Sequence, residues 1–156
     1  IPFDPIFYPL DVIGHWNRMY GTRGFLQHQC VVPHEGGAEA LRKLFGIIAD
    51  GGEGAFLAVL KKFGDIESPG MLSFPRPGLT LALDFPMKGQ RTLDLLNRMD
   101  EVVLEYGGAI YPAKDARMAP KTFEASFPNW RQFAKHIDPK FSSSFWRRVT
   151  GESTPH

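Results

Sequence analysis

The stretch Leu79-Thr80-Leu81-Ala82-Leu83-Asp84-Phe85 decides the fold of this chain. Each odd position is a leucine or phenylalanine and each even one is Thr, Ala or Asp. Successive strand residues point to opposite faces, so a strand over residues 79–85 buries one face and leaves the other polar. Upstream of it, residues 55–62 form a second strand candidate, and the loop between the two carries Gly64, Pro69, Gly70, Pro75, Pro77 and Gly78. Before that, residues 38–50 set Leu41, Leu44, Phe45 and Ile48 at i, i+3, i+4 and i+7, one face of a helix that Gly51-Gly52 stops. Residues 25–32 are apolar and β-branched enough for a strand, ended by Pro33. Downstream, residues 92–106 give a second amphipathic helix, with Leu95, Leu96, Met99, Val102, Val103 and Tyr106 on one side and Gly107-Gly108 as its stop. A short strand follows over 109–111. Pro120 opens a short helix that ends before Pro128, and Trp130, Phe133 and Ile137 suggest another ending at Asp138-Pro139.

The order βαββαβ predicts an α+β fold, the ferredoxin-like split βαβ: a four-stranded antiparallel sheet with two helices on one face, plus short C-terminal helices. The other face is expected to stay open. Alternation assigns Leu26, His28, Cys30 and Val32 to the helix side of the first strand and Gln27 and Gln29 to the open side. In the third strand Leu79, Leu81, Leu83 and Phe85 face the helices, leaving Thr80, Ala82 and Asp84 on the open face. Lys61 and Tyr111 complete a polar surface from the second and fourth strands. Such a surface is either a solvated sheet face or one that meets a ligand or another domain.

At 156 residues, 43% hydrophobic and 22% charged, the chain suits one domain. With 18 Lys+Arg against 17 Asp+Glu the net charge is +1, which gives no bulk field for a nucleic-acid backbone or an anionic membrane. The single cysteine, Cys30, fits a reducing, cytoplasmic compartment and reads as a small buried apolar residue. Nothing approaches the roughly 20 apolar residues of a membrane span. The Pro- and Phe-rich run over residues 1–10, which begins without Met, reads as a piece of something longer, and residues 151–156 read as a frayed tail.

Motif searches for catalysis return little. Gly51-Gly52-Glu53-Gly54 leads from a helix into a strand, the wrong direction for a phosphate loop at a helix start, and reads as a cap and turn. His28 and His34 lack a third ligand at metal-binding spacing, so no metal is expected. Ser142-Ser143-Ser144 lacks the glycines of a nucleophile elbow and reads as a polar loop. An RNA-binding sheet would need basic and aromatic residues where Thr80, Ala82 and Asp84 stand. A non-enzymatic ferredoxin-like ligand-binding or dimerisation module needs no catalytic residues and stays open, and with it a homodimer.

Several runs in order along nearly the whole chain resemble the carboxy-terminal part of FAD-linked oxidoreductases of the vanillyl-alcohol oxidase type, most of all their decaprenylphosphoryl-β-D-ribose oxidase branch, neighbouring the sugar-lactone oxidases. These runs are Tyr8-Pro9-Leu10-Asp11, His15-Trp16-Asn17 with Tyr20-Gly21, Gly24-Phe25-Leu26-Gln27-His28-Gln29, Leu72-Ser73-Phe74-Pro75-Arg76-Pro77-Gly78, Leu83-Asp84-Phe85-Pro86, Gly107-Gly108-Ala109-Ile110-Tyr111-Pro112-Ala113-Lys114-Asp115-Ala116-Arg117, and Asp138-Pro139. The resemblance implies a substrate or cap domain over residues 25–150, preceded by a lead-in over 1–24 from a separate N-terminal FAD-binding domain and followed by the tail. It implies oxidation of a sugar-like alcohol by hydride transfer to FAD, which that other domain mainly holds, so that this piece alone is inactive.

Carried over by position, the resemblance makes Lys114 and Tyr111 catalytic, with Lys114 also next to the flavin, and Gln27, Gln29, Lys61, Phe63, Thr80 and Ala82 substrate-binding. Thr80 and Ala82 stand where the ribose-oxidase branch carries Asn and Cys, and His28 where it carries Tyr. The implied substrates therefore include sugars, sugar lactones and other alcohols beside a polyprenyl-phosphate sugar. The implied location is cytoplasmic, with peripheral membrane association left open.

Overall fold

The computed structural model describes residues 3–8, 13–114, 116–138 and 140–151 and, of residues 4, 5, 16 and 17, the backbone alone. Residues 9–11 of the first quoted run, Asp115, Pro139 and the tail beyond Gly151 lie outside the described residues. A short helix α1 (Phe3–Phe7) and a 3-10 turn (Trp16–Tyr20) precede β1 (Phe25–Val32), α2 (Gly37–Gly51), β2 (Leu57–Phe63), β3 (Gly78–Pro86), α3 (Gln90–Glu105) and β4 (Ala109–Ile110). A 3-10 turn (Pro112–Lys114) leads to three short helices, α4 (Pro120–Ser126), α5 (Trp130–Ala134) and α6 (Ser144–Thr150).

The sheet order is β2-β3-β1-β4 and each neighbouring pair is antiparallel, as a split βαβ unit requires. Leu81, Leu83 and Phe85 of β3 with Cys30 and Val32 of β1 pack against Leu41 and Leu44 of α2 and Leu95, Leu96, Met99 and Val103 of α3. Burying each such side chain is worth roughly 1.5–3 kcal/mol, so the leucine alternation itself selects the sheet face that the helices cover. Gln27 lies opposite Asp84, Gln29 opposite Ala82 and Lys61 opposite Thr80, all on the other face. The expected register therefore holds. Both helices end where glycine permits a left-handed residue: Gly52 has φ +60° and its N–H bonds Ala49, and Gly107 has φ +68°. Among the described residues no helix is long and apolar enough to cross a membrane.

The C-terminal helices extend the core with an aromatic cluster. The Phe123 ring lies 5.4 Å from Phe127, 5.7 Å from Phe145 and 6.1 Å from Trp146. Two expectations change here. The helix over 130–138 ends at Ala134, after which Lys135, His136 and Ile137 each bond a carbonyl three residues back. Ser142 to Ser144 is not merely a loop: Ser143 Oγ accepts the Trp146 N–H at 3.0 Å and caps α6, whose Trp146 and Val149 are buried.

Cys30 is fully buried, and burial pushes its thiol up to about 12, a hydrogen bond with the Leu81 backbone offsetting only part of that. The unfolded thiol ionises from its ordinary 9.0, so the contribution to stability is complete below pH 9 and declines as pH rises toward 12. At pH 8 the native chain should resist alkylation by iodoacetamide, and denaturant should bring stoichiometric labelling. Prompt labelling of the folded chain would place Cys30 outside the core.

Candidate functional site

The face opposite the helices is a polar grid built by strand register. Gln27 Nε2 donates to Asp84 Oδ1 at 2.9 Å, and the Tyr20 hydroxyl donates to Asp84 Oδ2 at 2.8 Å, so Asp84, though only 5% exposed, is hydrogen-bonded on both oxygens. One step along the strands, Gln29 Nε2 donates to Thr80 Oγ1 at 3.3 Å, and Thr80 is buried. Asp84 can only accept, which fixes the Gln27 amide with its nitrogen inward and its carbonyl oxygen available at the surface. Ala82 lies between Val59 and Gln29 in the ladder, and Lys61 is exposed on the edge strand β2.

The fourth strand adds the remaining groups. The Tyr111 N–H bonds the Gln29 carbonyl at 2.8 Å, which continues the β1–β4 ladder by one residue and puts Tyr111 on the open face. Lys114 ends the turn that follows, its N–H bonding the Tyr111 carbonyl at 3.2 Å, and is half-buried. Gln27, Gln29, Tyr111 and Lys114 thus come together around one cavity of about 20 Å³. Lys61, Phe63, Thr80 and Ala82 share the sheet face with Gln27, Gln29 and Tyr111 but do not line that cavity.

The face is less open than its alternation suggests. Phe74, from the loop of residues 64–77, packs on Val31 and Ala109, with its ring 4.6 Å from Tyr111 and 6.2 Å from Phe63. Arg76 holds that loop down by donating to the Phe74 carbonyl at 3.4 Å and, across to α4, to the Ser126 carbonyl at 2.9 Å. Phe63 therefore serves as a wall of an aromatic cluster that closes one end of the grid.

Behind the face, His28 is buried on the helix side, and its Nε2 lies 2.9 Å from Asp100 Oδ1 of α3. His34, by contrast, reaches the Phe63 carbonyl at 3.2 Å. Asp100 is also gripped by Arg117, Nη1 to Oδ2 at 2.9 Å and Nη2 to Oδ1 at 3.0 Å. Burial raises the Asp100 carboxyl, but the hydrogen bonds and charges of His28 and Arg117 outweigh it and hold the group below the usual carboxylate range. Tyr20, Phe74, Asp84, Asp100 and Arg117 were not among the predicted site residues. Asp84 and Asp100 carried a signal, each being a carboxylate in a run that packing buries.

A dinucleotide does not fit a cavity of about 20 Å³, which has room for one water. Gly51 to Gly54 runs from helix to strand and offers no phosphate cradle.

No protein-family model matches the chain. Over 151 residues it is 40% identical to decaprenylphosphoryl-β-D-ribose oxidase of Mycolicibacterium smegmatis, an alignment covering 92% of this chain and 32% of that protein. It is also 35% identical over 145 residues to an uncharacterized protein in the mprA 5' region of Streptomyces coelicolor, covering 90% of this chain and 39% of the relative. The chain spans about a third of the length of these curated relatives. Along nearly its whole length, then, the chain resembles one part of an oxidase of the branch that its own sequence runs resemble.

Proposed function

We propose that this chain is the C-terminal substrate-binding part of a longer FAD-dependent oxidoreductase that oxidises a sugar-like alcohol by hydride transfer to flavin. The observation that carries the reading is that Gln27, Gln29, Tyr111 and Lys114 line one small cavity at the β1–β4 side of the sheet, beside His28, Asp100 and Arg117. The similarity to an oxidase over nine-tenths of the chain supports the same reading.

The flavin, held mainly by an N-terminal domain of the same protein, would supply the hydride acceptor. This chain's residues would bind and orient the substrate. With their nitrogens committed to Asp84 and Thr80, Gln27 and Gln29 present carbonyl oxygens that accept from sugar hydroxyls without titrating near neutral pH. The Tyr111 hydroxyl adds a donor whose ring is fixed against Phe74. With the flavin bound in the parent protein, the Lys114 ammonium would supply a positive charge to offset the negative charge that hydride transfer brings. The mycobacterial relative is named for a polyprenyl-phosphate pentose. Thr80 and Ala82, a small hydroxyl and a methyl on the same sheet face, stand where the ribose-oxidase branch carries Asn and Cys, so sugars, sugar lactones and related alcohols stand beside that substrate class.

The full-length parent should purify with a flavin absorbance spectrum that bleaches when an aldose, a sugar lactone or a polyprenyl-phosphate pentose is added without oxygen. This chain alone should be colourless and inactive. A parent without flavin would favour the non-enzymatic module, and stoichiometric flavin on the isolated chain would refute the division of labour.

A further inference from the structure

We propose that Asp100 is a positioning residue for the turn that carries Tyr111 and Lys114, acting through Arg117; this rests on the function proposed above. That turn is tied to the sheet at its start, where the Tyr111 N–H bonds the Gln29 carbonyl at 2.8 Å. At its far end, three residues beyond Lys114, the Arg117 guanidinium meets Asp100 in a bidentate pair at 2.9 and 3.0 Å and donates a further bond to Asn97 Oδ1 at 2.7 Å. Asn97 and Asp100 lie one turn apart on α3, so the guanidinium is held at two points of one rigid helix. Asp100 is fixed in its turn by His28 on the central strand β1, between Gln27 and Gln29. One carboxylate therefore joins the strand that carries the two glutamines, the helix behind it and the turn that carries the lysine. The small cavity is lined by members of both groups, Gln29, Tyr111 and Lys114 together with His28, Asp100 and Arg117.

This arrangement is a poor way to stabilise a core. The side chains of His28 and Asp100 are 2% and 8% exposed, and His28 Nδ1 is buried with no hydrogen-bond partner. Well-packed apolar residues commonly match or exceed the stability of such buried ionic clusters. What the cluster supplies instead is direction: a planar fork on a planar carboxylate fixes Arg117 in angle as well as distance. Lys114 sits between the two anchors, and displacing a group by about 1 Å from its productive place can cost on the order of a hundredfold in rate.

The experiment uses the full-length flavoprotein with Arg117→Lys, which keeps the charge and loses the fork, and Asp100→Asn, which keeps the shape. Each should slow flavin reduction at saturating substrate by roughly ten- to a hundredfold, the scale of such a misplacement, while flavin content stays normal. Amide hydrogen exchange of residues 111–114 should speed up at least several-fold, with the β3 core unchanged. Combined with Lys114→Ala, Arg117→Lys should slow reduction no further, because both act through one group. Unchanged exchange in the turn, or effects that multiply in the double variant, would overturn the positioning role. If Lys114→Ala alone left reduction intact, the electrostatic role of Lys114 in the proposed function would fail, and exchange in the turn would still decide whether Asp100 orders it.

Discussion

Lys114→Ala in the full-length parent is expected to slow flavin reduction by roughly a hundredfold while leaving the fold intact. Lys114 ends the turn after β4, is half-buried and lines the small cavity with Gln27, Gln29 and Tyr111. It takes no part in the hydrophobic core, so truncation should leave the melting temperature within a degree or two. A preorganised charge that meets charge developing in the reaction is commonly worth on the order of a hundredfold, about 3 kcal/mol. An ordinary surface ion pair is worth under about 1 kcal/mol. Stopped-flow reduction at saturating substrate separates these two magnitudes. Arginine at the same position should recover only part of the rate, because the planar fork cannot put its charge where the compact ammonium sits. A near-normal rate for Lys114→Ala would make the lysine a surface charge and remove the electrostatic part of the proposed mechanism.

The sheet and its two helices were legible because both periods are local. Alternation in residues 79–85 sorts every side chain of β3 to a face, and the 3.6-residue spacing in α2 and α3 shows which stripe meets that face. The grid of Gln27, Gln29, Thr80 and Lys61 follows from strand direction alone. Long-range closures were not legible. Phe74 reaches the sheet from a proline-rich loop whose path no periodicity describes, and the hydrogen bond between His28 and Asp100 spans 72 residues of sequence. Asp100 did leave a local trace: it lies four residues after Leu96 and three before Val103, on the buried stripe of α3. A carboxylate there needs partners, and only the fold says that they are His28 and Arg117. The cap at Ser143 was missed although Phe145, Trp146 and Val149 follow it at helical spacing.

Gly108 joins α3 to β4, and Gly108→Ala should destabilise the chain by at least about 3 kcal/mol, the upper part of the range for overpacked sites. A Cβ there would lie 2.5 Å from the Val31 carbonyl oxygen, 2.7 Å from Val103 Cγ1 and 2.9 Å from the Val103 carbonyl oxygen. Two of these three atoms belong to the backbone, so no rotamer change relieves the clash; β4 or α3 must move. Such a movement also breaks the bond from the Gly108 N–H to the Val103 carbonyl, which closes the helix at 2.8 Å. For a chain of this size the loss corresponds to a fall in melting temperature of roughly 6–12 °C. Gly46 is the opposite case. It lies inside α2 with nothing within 4 Å of its added Cβ, so Gly46→Ala should stabilise by about 0.4–1 kcal/mol through a less disordered unfolded chain. Thermal melts of the two variants side by side therefore test the packing rather than a general intolerance of alanine for glycine. Equal melting temperatures would mean that α3 and β4 do not meet β1 this closely.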